Sequence, residues 1–125
     1  MIRILALSAA IATAALAAHA AGHAHAPVKT SVQGYLTDGH DMTLYAFDKD
    51  SDGHSACYDK CALTWPPLAL EDGAKLPEGF DLINRNDGTE QIAYKGQPLY
   101  LWVKDTAPGQ TTGDGVKGVW HIAKP

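Results

Sequence analysis

Residues 44–65 read LYAFDKDSDGHSACYDKCALTW, and this stretch decides how the chain is understood. It holds an aromatic strand, an acidic turn, both cysteines, and a Trp that leads into Pro66-Pro67. A shift of about 55 residues lays Leu44, Tyr45 and Phe47 on Leu99, Tyr100 and Trp102. With no gap, Asp50 then falls on Asp105, Asp59 on Asp114 and Trp65 on Trp120. A repeat in register at this many anchors means that one supersecondary unit occurs twice.

Working outward, residues 42–47 (MTLYAF) form the clearest strand. Met42, Leu44 and Ala46 lie on one face, and Thr43, Tyr45 and Phe47 on the other. Aromatics on the second face predict that both faces are covered. Residues 28–36 alternate loosely and predict a strand. Residues 37–41 (TDGHD) supply the Asp-Gly of a tight hairpin turn. Residues 48–53 read as a turn or an ion-binding loop, and residues 55–63 as one or two helical turns around the cysteines. Residues 71–79 read as loop, and 80–83 and 90–94 as strands about the turn Asn86-Asp87-Gly88. Residues 98–103 are the second aromatic strand, 106–118 a long Gly-rich loop, and 119–123 a closing strand. Short strands between Gly/Asp/Asn turns, without a long helical period, predict an all-β or β-dominated domain. Its two half-repeats, at about 34–68 and 91–123, are expected to pack face to face about a pseudo-twofold axis. Tyr45, Phe47, Trp65, Tyr100, Trp102 and Trp120 would form the shared core or its rim.

The chain has 125 residues, the length of one domain. Residues 1–20 look like a secretory signal, with Arg3 in the n-region, residues 4–16 as the short apolar core, and Ala18-His19-Ala20 at the cut. Residues 21–27 then form a small, polar, flexible arm, and 28–125 the domain. Without Arg3 the chain has 9 basic residues against 14 acidic, a net charge of −5. That balance argues against nucleic acid or an anionic membrane as partner. Two cysteines in an exported chain are most simply one disulfide, Cys57–Cys61. So short a closed loop removes little chain entropy, worth about 2 kcal/mol.

Two copies of Leu-Tyr-x-[Phe/Trp]-x-x-Asp, the first followed by Cys-x3-Cys and Trp65-Pro66-Pro67-Leu68, resemble a family of secreted bacterial repeats. The family is described as predicted lipoproteins with a Y-x-[FWY]-x-x-D motif. The second copy, running from Gly109 through Val119-Trp120-His121, also fits, and the likeness spans about residues 34–123. The resemblance implies the domain and the export, and leaves the activity open. This chain lacks a lipoprotein cysteine near the cut, so no membrane anchor is expected.

Several constellations are candidates for chemistry. Asp48-x-Asp50-x-Asp52-Gly53, with Asp59 twelfth, follows the order of oxygen ligands in a calcium loop. Against that pattern, no helix precedes it and Asp replaces the usual bidentate Glu. Because Asp50 and Asp59 recur as Asp105 and Asp114, they are also candidates for turn-forming acceptors of backbone N–H bonds. Cys57 and Cys61, if reduced, would suit copper together with His54, a ligand set similar to that of Sco-type copper chaperones. Cleavage after Ala20 would place His23 third, where a free amine, two amides and an imidazole enclose Cu(II) in a square plane. The aromatics are candidates for core or for a ligand groove. The chain carries no G-x-S-x-G, H-E-x-x-H or phosphate loop. The reading is an exported, soluble, non-enzymatic binding or interaction module whose partner is an envelope protein or a small ligand. The alternative is a periplasmic metal-handling protein.

Overall fold

The computed structural model describes residues 26–125. The expected signal segment and His23 lie outside the described residues, as does all of the arm before Ala26. Among the described residues seven short strands, one short α-helix and a 3-10 turn at Val116–Gly118 follow one another: β1 (Val28–Thr30), β2 (Leu36–Asp38), β3 (Tyr45–Phe47), α1 (Lys60–Thr64), β4 (Phe80–Asn84), β5 (Glu90–Tyr94), β6 (Gln97–Pro98) and, after the 3-10 turn, β7 (Trp120–Ile122). All the pairings are antiparallel: β1 with β2, β3 with β7, and β4–β5–β6 in one sheet. The β-dominated architecture with two repeat-like halves is the one the sequence predicts. No helix among the described residues is long and apolar enough to cross a membrane.

The expected strand over 28–36 is in fact a hairpin. Ser31 accepts from the Gly34 N–H and donates to the Tyr35 carbonyl, and Gly34 sits at φ +90, a conformation open to glycine. The strand therefore resumes at Leu36 and runs on through Thr37 and Asp38, into the segment read as a turn.

The two halves do not close on themselves. The Leu36 N–H donates to the Ala123 carbonyl (2.9 Å), Leu44 to Leu36 (3.0 Å), and Ala123 to Leu44 (2.8 Å). The same circuit recurs in the other half: Ile92 to Leu68 (2.8 Å), Leu99 to Ile92 (3.1 Å), and Leu68 to Leu99 (3.0 Å). Likewise Asp48 donates to the Val119 carbonyl, and Val103 to that of Thr64. So the last segment of each sequence repeat completes the sheet of the other. β7, from the second copy, pairs with β3 in the first, while residues 64–68 of the first copy bond to residues 92, 101 and 103 of the second. At the centre, Tyr45 and Tyr100 exchange both backbone bonds, Tyr45 N–H to Tyr100 O (2.8 Å) and the reverse (3.0 Å). The pseudo-twofold axis passes through this pair.

Strand alternation sends successive side chains of 44–47 into two cores. Leu44 joins Val28, Leu36, Leu68, Ile92, Leu99 and Ala123 in an aliphatic core. Tyr45 and Phe47 join Cys57, Trp65, Tyr100, Trp102 and Trp120 in an aromatic one. Both faces of the strand are covered, as its composition predicts.

Two outcomes follow from this exchange. Proteolytic nicking in the exposed loop at 71–79 should leave both pieces in one folded particle. Co-elution on gel filtration without denaturant is expected, and separation of the pieces would contradict the exchanged topology. Gly113→Ala should destabilise by about 1–3 kcal/mol in denaturant unfolding. A Cβ there would stand 2.9 Å from both the Trp65 and Tyr45 rings, neither of which can retreat.

Candidate functional site

The aromatic core is an ordered ladder. Phe47 stacks on Trp120 (centroids 4.2 Å, 12°), Trp120 on Trp65 (3.8 Å, 3°), and Trp65 on Trp102 (3.9 Å, 27°). The twofold exchanges Trp65 with Trp120 and Phe47 with Trp102. Tyr45 meets Trp65 edge-on (5.4 Å, 76°), and Tyr100 meets Trp120 in the same way (5.1 Å, 89°). Each such contact contributes about 0.5–1.5 kcal/mol beyond the area it buries.

The tyrosine hydroxyls are crossed between the halves. Tyr45 donates to Asp105 Oδ2 (2.5 Å), and Tyr100 to Asp50 Oδ2 (2.7 Å). The other oxygen of each Asp orders its own loop. Asp50 Oδ1 accepts the Ala56 N–H (2.7 Å), and Asp105 Oδ1 accepts the Thr112 N–H (3.0 Å) and hydroxyl (2.6 Å). Burial raises the pKa of Asp50, opposed by the bonds from Tyr100 and Ala56 and by the Arg85 charge. Burial and the carboxylate acceptor push both tyrosines well above the ordinary phenol value.

Around Tyr100 the polar network is larger. Its hydroxyl lies 2.6 Å from Ser55 Oγ, which accepts from Arg85 Nη1 (2.9 Å). Arg85, only 4% exposed, also donates to Gln91 Oε1 (2.7 Å) and to the Cys57 carbonyl (2.5 Å), beneath the Tyr58 ring (4.4 Å). Gln91 in turn donates to the Leu99 carbonyl (2.7 Å). The matching place beside Tyr45 has no cation: Gly113 N–H donates to the Tyr45 hydroxyl (3.2 Å). The halves thus share a frame and differ in chemistry.

The ladder reaches the surface in a groove of about 330 Å³ lined by Phe47, Trp65, Trp120 and Cys61, with Lys49, Lys60 and Lys117 among its walls. These lysines are exposed, and Lys104 extends the basic rim over Trp102 (5.7 Å). Two supports of the groove are backbone outliers. Lys117 sits at φ +52, and Asp59, which leads into α1, at φ 53 and ψ −120. Non-glycine residues held there cost of order 1–3 kcal/mol and often mark functional segments.

Cys57 and Cys61 form the expected disulfide, with Sγ–Sγ 2.03 Å. Bonded to each other, they offer no thiolate to copper, and His54 is instead part of a turn in which its N–H donates to the Ser51 carbonyl. The copper set on Cys57, Cys61 and His54 is therefore not formed. The calcium loop is not formed either. Asp50 is drawn inward to Tyr100. Asp48 faces His121, Nε2 to Oδ2 2.7 Å. Asp52 lies against Gly96, so close that a Cβ on that glycine would fall 1.6 Å from its Oδ1. Asp59 enters α1 without a side-chain cap bond. The four carboxylates answer to four different partners or faces, and among the described residues no group of three His, Cys, Asp or Glu side chains can hold a metal ion. The turn reading fits Asp50 and Asp105, and also Asp114, whose Oδ1 accepts the Ile122 N–H (3.1 Å); Asp59 departs from it.

The sequence reading missed Arg85, Gln91, Ser55 and the groove lysines. Only one of these left a signal. Lys49-Asp50 recurs as Lys104-Asp105 in the same register, so a lysine is part of the repeated motif.

Fold and site together define a pseudo-symmetric two-repeat β domain, closed by exchanged strands over an aromatic ladder. The model of a family described as a secreted repeat of unknown function matches residues 28–69 and 81–124, and the chain belongs to that family. Its matched segments begin before the predicted repeats, at 28 and 81, and so take in the hairpins β1–β2 and β4–β5. No curated protein and no solved structure matches the chain.

The crossed hydroxyls predict an alkaline signature. Because the folded pKa values of Tyr45 and Tyr100 are raised, their contribution to stability is complete below the unfolded value of 10.0. It is lost as the pH rises above 10.0. Spectrophotometric titration should find that two of the five tyrosines ionise only when the protein unfolds in base, and Tyr100→Phe should leave one. Ionisation of all five in one step in the folded protein would contradict the buried pairs.

Proposed function

We propose that the protein is a non-enzymatic binding module of the cell envelope, and that its groove takes a small anionic ligand with a flat apolar face. The observation that supports this reading is the meeting of Phe47, Trp65 and Trp120 with Lys49, Lys60 and Lys117 around one concave space. A groove of this volume suits a small molecule. The chain as a whole is acidic, at formal net charge −4, yet three of its lysines gather on the rim of this one groove. Aromatic edges supply the apolar contact, and the lysines supply charge without a fixed geometry, which suits recognition of an anion by its charge. Periplasmic residence accords with export and with the disulfide.

The test uses 8-anilinonaphthalene-1-sulfonate, a flat aromatic anion, as probe. It should quench or shift the tryptophan emission and perturb the amide signals of residues 47–49, 60–65 and 117–120. Replacing Lys49, Lys60 and Lys117 together by Gln should weaken binding about tenfold, since exposed charges contribute a few tenths of a kcal/mol each. Unaltered affinity in that variant, or perturbation elsewhere, would overturn the assignment.

A further inference from the structure

We propose that the anionic ligand of the groove is a low-molecular-weight thiol, and that it exchanges with the Cys57–Cys61 disulfide. The proposal rests on the groove reading and adds a chemical step to it.

The two sulfurs are placed unequally. Cys57 is fully buried in the aromatic core, with its N–H donating to Ser55 Oγ and its carbonyl held by Arg85. Cys61 is half-buried, on α1, and lines the groove next to Lys60. An entering thiolate can therefore reach one sulfur and not the other, and it must pass the basic rim to do so.

The disulfide loop is also strained. Asp59 lies between the cysteines at φ 53 and ψ −120, a region that disfavours side chains. It makes no side-chain cap bond that would hold it there. The closed loop spans only four residues of separation, so the crosslink adds little stability through chain entropy. A crosslink that stabilises little and holds a strained residue is more oxidising than an ordinary structural one.

A thiolate RS⁻ attacks Cys61 Sγ, the Cys57–Cys61 bond breaks, and Cys57 leaves as a thiolate that takes up a proton. Arg85, bonded to the Cys57 carbonyl, is a cation held against the residue that carries the leaving group. A second thiolate then attacks the ligand sulfur of the mixed disulfide and releases Cys61. Two thiols become one disulfide, and two electrons and two protons pass to the protein. The exchange is stoichiometric unless the protein is reoxidised.

The experiment measures reduction of the native protein by glutathione (anionic), 2-mercaptoethanol (neutral) and cysteamine (cationic), with alkylation and intact mass as readout. The rate should be first order in thiol and faster than global unfolding measured in parallel. The glutathione-to-cysteamine rate ratio should fall about tenfold in the Lys49/Lys60/Lys117→Gln variant, a comparison that cancels intrinsic thiol reactivity. In Cys57→Ser, oxidised glutathione should form an adduct on Cys61, whereas in Cys61→Ser the buried Cys57 should form none. Asp59→Gly, which removes the strain, should shift the dithiol–disulfide equilibrium about tenfold toward the disulfide. A rate independent of thiol concentration and equal to unfolding would overturn the exchange and leave the groove reading untouched. Exchange from the folded state with an unchanged charge ratio would overturn the anionic ligand instead.

Discussion

Tyr45 and Tyr100 each reach across the pseudo-twofold axis to a carboxylate that belongs to the other repeat. A phenol bonded to a buried carboxylate is a strong pairing, because the acceptor is charged and water is largely excluded. The same two residues exchange their backbone bonds on the axis and wedge edge-on against Trp65 and Trp120. Remove either tyrosine and a carboxylate is left partly buried without its donor, at the centre of both halves. The exchanged closing strands depend on this arrangement, since residues 64–68 and 119–123 leave the ladder at Trp65 and Trp120.

The exchange makes the domain indivisible. Each aliphatic circuit needs a strand from the other repeat, Ala123 in one case and Leu68 in the other. None of these elements exceeds five residues, and isolated strands this short are marginal in water. Their stability comes from the shared aromatic core, where stacked indoles bury large areas at low side-chain entropy. Arg85 departs from the symmetry, as the disulfide does: it is a buried cation beside Tyr100 whose donors go to Ser55, Gln91 and the Cys57 carbonyl, with Asp87 3.7 Å from its Nε. Buried charge is costly unless it is paired or well bonded. The cost is met on the side that carries the disulfide, which ties the chemistry of Cys57 to one half only.

Much of this was readable from residues in order. The 55-residue register set out the anchors, and the alternation at 44–47 separated Leu44, which enters the aliphatic core, from Tyr45 and Phe47, which enter the aromatic one. The boundary errors have local causes. Residues 28–36 alternate as a strand should, but Gly34 permits the left-handed turn that breaks them. The acidic run 48–59 has the spacing of a calcium loop, yet spacing says nothing about competitors. Tyr100 and the Ala56 N–H take both oxygens of Asp50, and His121 faces Asp48.

The sequence by itself determined the repeat, the β class, the aromatic core and the disulfide, because each is written in residue type and period. Only the tertiary structure decided which repeat closes which sheet, since either pairing would satisfy the same strand pattern. It also decided that the motif's Asp serves the opposite tyrosine, and that Arg85 lies 6 residues from Gln91 in sequence yet bonds Ser55 and Cys57 some 30 and 28 residues away. Lys49, Lys60 and Lys117 are scattered along the chain and become one basic rim only when the ladder stacks. The physical reason is common to all four cases. Hydrogen bonds and packing at long sequence separation are chosen by geometry among several local candidates, and local pattern cannot rank those candidates.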